Sequence, residues 1–363
     1  MKKIVGILAV AAMATSMFAA DVAARVVMEG SLAGGDKGST YVWQLNKKDQ
    51  KDADAAIIQV NGDKAGAKFQ LWYNYAGDDA ALKVRGTSLW FKPVDSVKVT
   101  LGDVSSGSWF GNTLDYWKNP VGGSAAAYNS WGAKYSSYAT VEGAGIMVEV
   151  TPVEGLTING GITAGAGDKD NKKNFFEKAG DTTKVAQYGI GAMYNIPNIP
   201  LTIGATYRDD GKGADKLVSV GAKYGNANSD PFHTSINARM RFENKKMAGV
   251  TIDNYFKYAS GALNACLRAP VTIRLGDDPS YMSFSGKVSY AVEGYVPYFM
   301  FGSDLDNNTA TLLDKFADTL ELQFQPGVTF NVGACSLDVG ARINKAKDNS
   351  ISWSIPFTAA VTF

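Results

Sequence analysis

From Ser350 to Phe363 the chain alternates without a break. Ile351, Trp353, Ile355, Phe357, Ala359, Val361 and Phe363 are apolar. Ser350, Ser352, Ser354, Pro356, Thr358, Ala360 and Thr362, between them, are small or polar. A period of two is that of a β-strand with one apolar and one wet face. In a soluble protein such a strand normally sits mid-sheet, but here it is the extreme terminus and ends on an aromatic.

This arrangement resembles the closing strand of bacterial outer-membrane β-barrels. The resemblance implies that Phe357, Val361 and Phe363 form an assembly signal read by the outer-membrane barrel assembly machinery. It also implies a chain embedded in outer-membrane lipid. The expected fold is all-β, a transmembrane antiparallel β-barrel with short periplasmic turns and longer extracellular loops.

The other end agrees. Lys2 and Lys3, the apolar run Ile4–Met13, and the small residues Ala19 and Ala20 read as a cleaved signal peptide over residues 1–20. Val22-Ala23-Ala24 offers a second cleavage point. No Cys lies nearby, which excludes a lipoprotein. Beyond residue 20 no apolar run approaches the roughly twenty residues of a membrane helix. A chain that stays in a membrane without helices must span it as a closed barrel, because hydrocarbon leaves no backbone group unpaired. Residues 21–363 are thus expected to form one barrel domain.

Composition fits this reading. The 363 residues are 45% hydrophobic, which suits apolar outward positions diluted by a polar lumen and polar loops. Seventeen Tyr and seventeen Phe suit aromatic girdles at the membrane interfaces. A net charge of +1 argues against nucleic acid. Cys266 and Cys335 read as unpaired thiols, with a disulfide between them as the alternative. His233 is the only His, which removes most metal-site and triad chemistry, so no enzyme activity and no cofactor are expected. Gly189-Ile-Gly191 lacks the strand-to-helix setting of a phosphate loop.

Proline marks a recurring turn. In Phe91–Val99, Val150–Ile158 and Ile196–Ile203 a Pro is followed four residues later by a new alternating run. Pro cannot continue a central ladder, so each ends a strand. Phe324–Phe330, around Pro326, reads as a shorter variant. The complementary connections carry acids and Gly, as in Gly77-Asp78-Asp79, Asp209-Asp210-Gly211 and Gly276-Asp277-Asp278. With the last strand ending in the periplasm, the Pro turns fall inside and the acidic loops outside. About sixteen to eighteen strands follow, with fourteen an option. The weakest are those near residues 54–61 and 264–275.

The longest stretch without alternation, residues 105–140, follows the fifth expected strand. General porins fold an outer loop inward at this place, and the position resembles that constriction loop. The resemblance makes Trp109, Asp115, Tyr116, Trp117 and Trp131 constriction candidates, although the short acidic motif of many such loops is absent. The less apolar strand face should line the pore. It carries Lys68, Arg208, Lys223, Arg239, Arg241, Asp253, Lys257, Arg274, Lys287 and Arg342. Bases outnumber acids in this set, and such a wall attracts anions.

The expected function is a porin, a water-filled channel for passive diffusion of small hydrophilic solutes with a weak anion preference. A fatty-acid-type transporter for hydrophobic substrates and a surface adhesin or structural barrel are the alternatives. The porin resemblance further implies a homotrimer. Leu71–Tyr75 and Ser88–Pro93 also resemble spirochaete outer-membrane barrels of the Treponema type.

Overall fold

The structure, a computed structural model, describes residues 20–36, 39–45, 55–74, 81–105, 142–163, 187–209, 216–226, 229–243, 246–276, 279–303 and 311–362. These residues form one antiparallel sheet of twenty-three strand segments. The first eight are β1 (Ala20–Asp36), β2 (Ser39–Leu45), β3 (Ala55–Asn61), β4 (Ala65–Asn74), β5 (Ala81–Val94), β6 (Val97–Ser105), β7 (Glu142–Val153) and β8 (Leu156–Thr163). Next come β9 (Gln187–Asn195), β10 (Leu201–Asp209), β11 (Lys216–Tyr224), β12 (Phe232–Glu243), β13 (Lys246–Ser260), β14 (Leu263–Arg268) and β15 (Val271–Arg274). The rest are β16 (Tyr281–Met282), β17 (Ser285–Tyr290), β18 (Tyr295–Gly302), β19 (Thr311–Leu312), β20 (Leu322–Val332), β21 (Cys335–Gly340), β22 (Arg342–Lys345) and β23 (Ile351–Thr362).

Around the sheet each strand, some of them built of two segments in line, pairs with the next along the chain, and the last pairs with the first. β23 runs antiparallel to β1 from Arg25↔Thr362 to Asp36↔Ser352, which closes the sheet into a barrel. Closure removes both edges, the one arrangement of strands that satisfies every ladder group in lipid. Several segments continue one another in line. β2 and β3 lie end to end against β1, and β14 and β15 against β13. β16 with β17, β18 with β19, and β21 with β22 do the same. Among the described residues this makes eighteen staves. The number has to be even, since every neighbour, the closing pair included, is antiparallel.

Burial is inverted relative to a soluble protein. Ile190, Ile203, Val220, Ile236, Phe256 and Leu267 are 42–57% exposed, while Asn159, Asn237, Arg239, Thr251 and Asp253 are at most 6% exposed. The two sets alternate along the strands, so one face is apolar and open and the other polar and crowded. Side chains crowd on the concave face of a closed sheet and splay on the convex one, so the polar set is inside. An apolar outer face of this extent matches hydrocarbon. Tyr224, Phe232, Tyr258, Tyr290, Tyr295 and Phe330 sit on that face near the short-turn strand ends, forming an aromatic belt. Their rings meet in tilted pairs, Tyr224 with Phe232 at 6.4 Å and Tyr295 with Phe330 at 6.5 Å.

Short connections gather at one end of the barrel: Gly62–Lys64, Asp95–Ser96, Glu154–Gly155, Ile196–Pro200, Gly261–Ala262 and Gly333–Ala334 among them. The Lys64 ammonium pairs with Asp95 between two of these turns and holds the Asp95 carboxyl below its ordinary value. The turns after Pro93, Pro152 and Pro197 belong to this end, as expected.

Pro326 does not form a turn. β20 runs straight through it, and the chain reverses at Gly333, whose φ of +58° suits glycine. Pro326 instead lies where the partner strand breaks between β21 and β22 at Ala341, so its missing N–H falls at a gap in the ladder. The same holds elsewhere. Pro93, Pro152 and Pro356 sit at register shifts, and Pro270 separates β14 from β15. Proline here marks bulges as often as turns. Just before β20 the chain makes a one-turn helix, Phe316–Thr319.

Candidate functional site

The inner wall is the candidate site, and strand alternation alone aims side chains at it. On β12 the outward set is Ile236, Ala238 and Met240, and the inward set is His233, Ser235, Asn237, Arg239 and Arg241. The register carries this face across the sheet. Arg239 lies between Ser219 of β11 and Thr251 of β13, and Asn237 opposite Asp253. Lys223 and Arg208 continue it on β11 and β10, opposite Ser235 and Gly189 respectively.

Three of the expected residues converge. Arg239, Arg241 and Arg274 line one narrow crevice with Thr251, Thr272 and Tyr281. Thr251 and Thr272 hydroxyls are hydrogen-bonded to each other at 2.9 Å. Guanidinium stays charged at any physiological pH and offers planar forks of donors, so this crevice is a concentrated positive region.

Lys257 and Lys287 flank a second place on the inner wall. Both stand directly opposite Cys266, one on each side. The Lys287 ammonium lies 5.1 Å from the Tyr298 ring centroid. Tyr298 donates to Asp338 at 2.8 Å and accepts from the Gln325 amide at 3.0 Å. Arg342 Nε donates to the Gln325 carbonyl at 2.8 Å, and Thr329 donates to Asp338 at 2.6 Å. Arg342, 2% exposed, is thus anchored in a chain of polar contacts rather than extended into the lumen.

Asp253 is inside but presents no open charge. Arg268 grips it with a two-pronged contact, Nε to Oδ1 at 2.8 Å and Nη2 to Oδ2 at 2.7 Å. Both side chains are less than a tenth exposed. Sequence reading missed Arg268, because it closes a short strand just before Ala269-Pro270, where the periodicity fails. It also missed Lys98, Asp103, Glu149 and Asp338 on the inner face. Asp103 was hidden because Gly102 before it has a φ of +102°, open to glycine, which breaks the simple alternation of faces.

Lys68 stands apart on β4, opposite Gln59 and Ser88 and far around the barrel from the arginines. Phe357 and Val361 lie in the closing strand, and Phe357 is 7% exposed. Phe363, the constriction candidates Trp109, Asp115, Tyr116, Trp117 and Trp131, and residues 1–19 of the expected signal peptide lie outside the described residues. Cys266 and Cys335 form no disulfide and lie on the inner and outer faces respectively.

No family model matches this chain, and no curated protein matches it. Solved structures do. OpdL of Pseudomonas aeruginosa superposes with a TM-score of 0.56 at 9% identity, covering 95% of this chain and 98% of that one. OpdO of the same organism gives a TM-score of 0.57 at 11% identity, over 95% and 96%. The fold is that of an outer-membrane β-barrel. The outer membrane protein OpdK of P. aeruginosa, with a TM-score of 0.54 at 10% identity over 94% and 99%, agrees. It has also been solved with vanillate. The Treponema-type likeness finds no support in these comparisons.

Proposed function

We propose that this chain is an exported outer-membrane porin, a channel through which small hydrophilic solutes diffuse passively with a weak anion preference. The observation that carries the reading is the inner wall of a closed barrel. It is mostly polar, with Val104, Met147, Leu217 and Met300 the apolar exceptions, and its bases exceed its acids. Arg239, Arg241 and Arg274 cluster, Lys223, Lys257 and Lys287 add to them, and Asp253 is neutralised by Arg268. A wall of one dominant sign, facing water across low-dielectric lipid, concentrates counter-ions and repels co-ions.

The fold supports a channel in particular, because a barrel of this stave number encloses more space than side chains fill. The structure of OpdK with vanillate, an organic anion, fits the same direction. The charged wall is a poor lining for an apolar solute and disfavours the fatty-acid-type transporter. A cleaved segment over residues 1–20 and placement in an outer membrane belong to this proposal, as does assembly into a homotrimer. The loop of residues 105–140 joins paired neighbours, β6 and β7, at the end opposite the short turns, where an inward-folding loop would be rooted.

Reconstitution into planar bilayers tests the proposal. Steady conductance in symmetric salt is expected, with a reversal potential shifted toward anions in a salt gradient. Silence in the bilayer overturns the channel, and a clear cation preference overturns the charge argument.

A further inference from the structure

The arginine crevice occupies one sector of the inner wall, and a second sector, across β3 to β7, has different chemistry. There a cavity of about 360 Å³ opens on the lumen side, lined by the indole of Trp90 and the amides of Gln59, Asn61 and Gln70. Ser88 and Thr100 add hydroxyls, and Asp103, Lys68 and Lys98 add charges of both signs.

Two glycines seat its chief groups. The Trp90 indole lies over Gly66, where any Cβ would strike the ring, and the Asp103 carboxylate lies over Gly86 in the same way. Gly66 and Trp90 are cross-strand partners in β4–β5, and Gly86 stands opposite Gln70 in the same pair of strands. The positive φ of Gly102 supplies the aim of Asp103. Gln59 and Asn61 are fixed to each other, the Gln59 amide donating to the Asn61 carbonyl at 3.0 Å. Lys98 and Lys92 place their ammonium groups 5.1 Å and 5.8 Å from the Trp90 ring.

We propose that this cavity is a binding subsite for a neutral saccharide, about one hexose ring at a time. The volume lies at the small end of the roughly 300–1,000 Å³ of small-molecule sites. A sugar hydroxyl both donates and accepts, and only groups that do both, or an array of donors beside acceptors, satisfy it. Side-chain amides and hydroxyls are such groups, whereas guanidinium donates alone. The apolar C–H face of a pyranose ring needs a flat apolar partner, which the indole provides. Asp103 accepts from two adjacent hydroxyls and repels an anion that would compete for the place. The lysines reach the remaining oxygens once the sugar takes over the ring. The lumen then has two lanes, a basic one over β10–β15 and an amide-lined one over β3–β7.

The inference rests on the channel reading only for access, and two measurements separate them. In planar bilayers, glucose or maltose added to wild-type protein should reduce the ion current in a saturable way, half-maximally at millimolar concentration. Trp90→Ala should raise that concentration by about tenfold, and Trp90→Phe should restore part of it. Trp353→Phe, on the outer face, should behave as wild type. Calorimetric titration of the folded barrel in detergent with the same sugars should follow the same order. Heat without conductance keeps the saccharide site and removes the channel. Conductance with neither block nor heat, or block unchanged in Trp90→Ala, overturns the saccharide site.

Discussion

At the scale of single residues, the inner wall mixes groups held in place with groups presented to the lumen. Asp253 and Arg268 are held, and each leaves an uncompensated buried charge when the other is removed. Arg268→Met should therefore destabilise the barrel by about 3 kcal/mol. Urea unfolding in lipid vesicles measures it, and the double variant with Asp253→Asn should recover most of the loss. Facing was legible in the sequence residue by residue. Arg239, Arg241, Lys223 and Lys287 could be aimed inward from a period of two alone. Partners were not, because Asp253 finds Arg268 fifteen positions away across a hairpin whose register only the folded ladder sets. Arg342 shows the same limit. Its direction followed from Ile343 beside it, but its bond to Gln325 depends on strand pairing.

At the scale of elements, the sequence signal was strongest where an apolar outer face alternates with a polar inner one and weakest where prolines interrupt. Pro326 reads as a turn by itself, and only the facing break at Ala341 explains how a strand carries it. Ser39–Leu45 went unread because it is short and its continuation, β3, resumes ten residues later. The outer face makes a quantitative prediction. Val220 sits mid-strand on β11, between Ala205 and Ala238, and is 44% exposed. Val220→Arg puts a charge into the hydrocarbon and should cost about 2–4 kcal/mol of folding free energy. Urea titration in vesicles reads this directly, and a neutral result would place β11 outside the membrane.

At the scale of the whole molecule, everything depends on the seam between β1 and β23. The two strands pair along most of their length, with one bulge between Ser31 and Gly34 opposite Pro356. Ser31 is fully buried at that bulge and donates to the Ala33 carbonyl at 2.8 Å. The seam joins the two most distant parts of the chain, so it carries the largest loop-closure cost and closes last on that ground. Until then β23 is an edge strand with its apolar face, Trp353 and Ile351 included, exposed. A terminal aromatic that engages the insertion machinery would act in that interval, before Thr362 meets Arg25. Deleting Phe363 should therefore lower the yield of folded, heat-modifiable barrel in membranes severalfold. The seam pairs from Arg25↔Thr362 onward remain available, so barrels that do close should conduct with wild-type reversal potentials. A shifted reversal potential in the surviving channels would assign Phe363 to the pore rather than to closure.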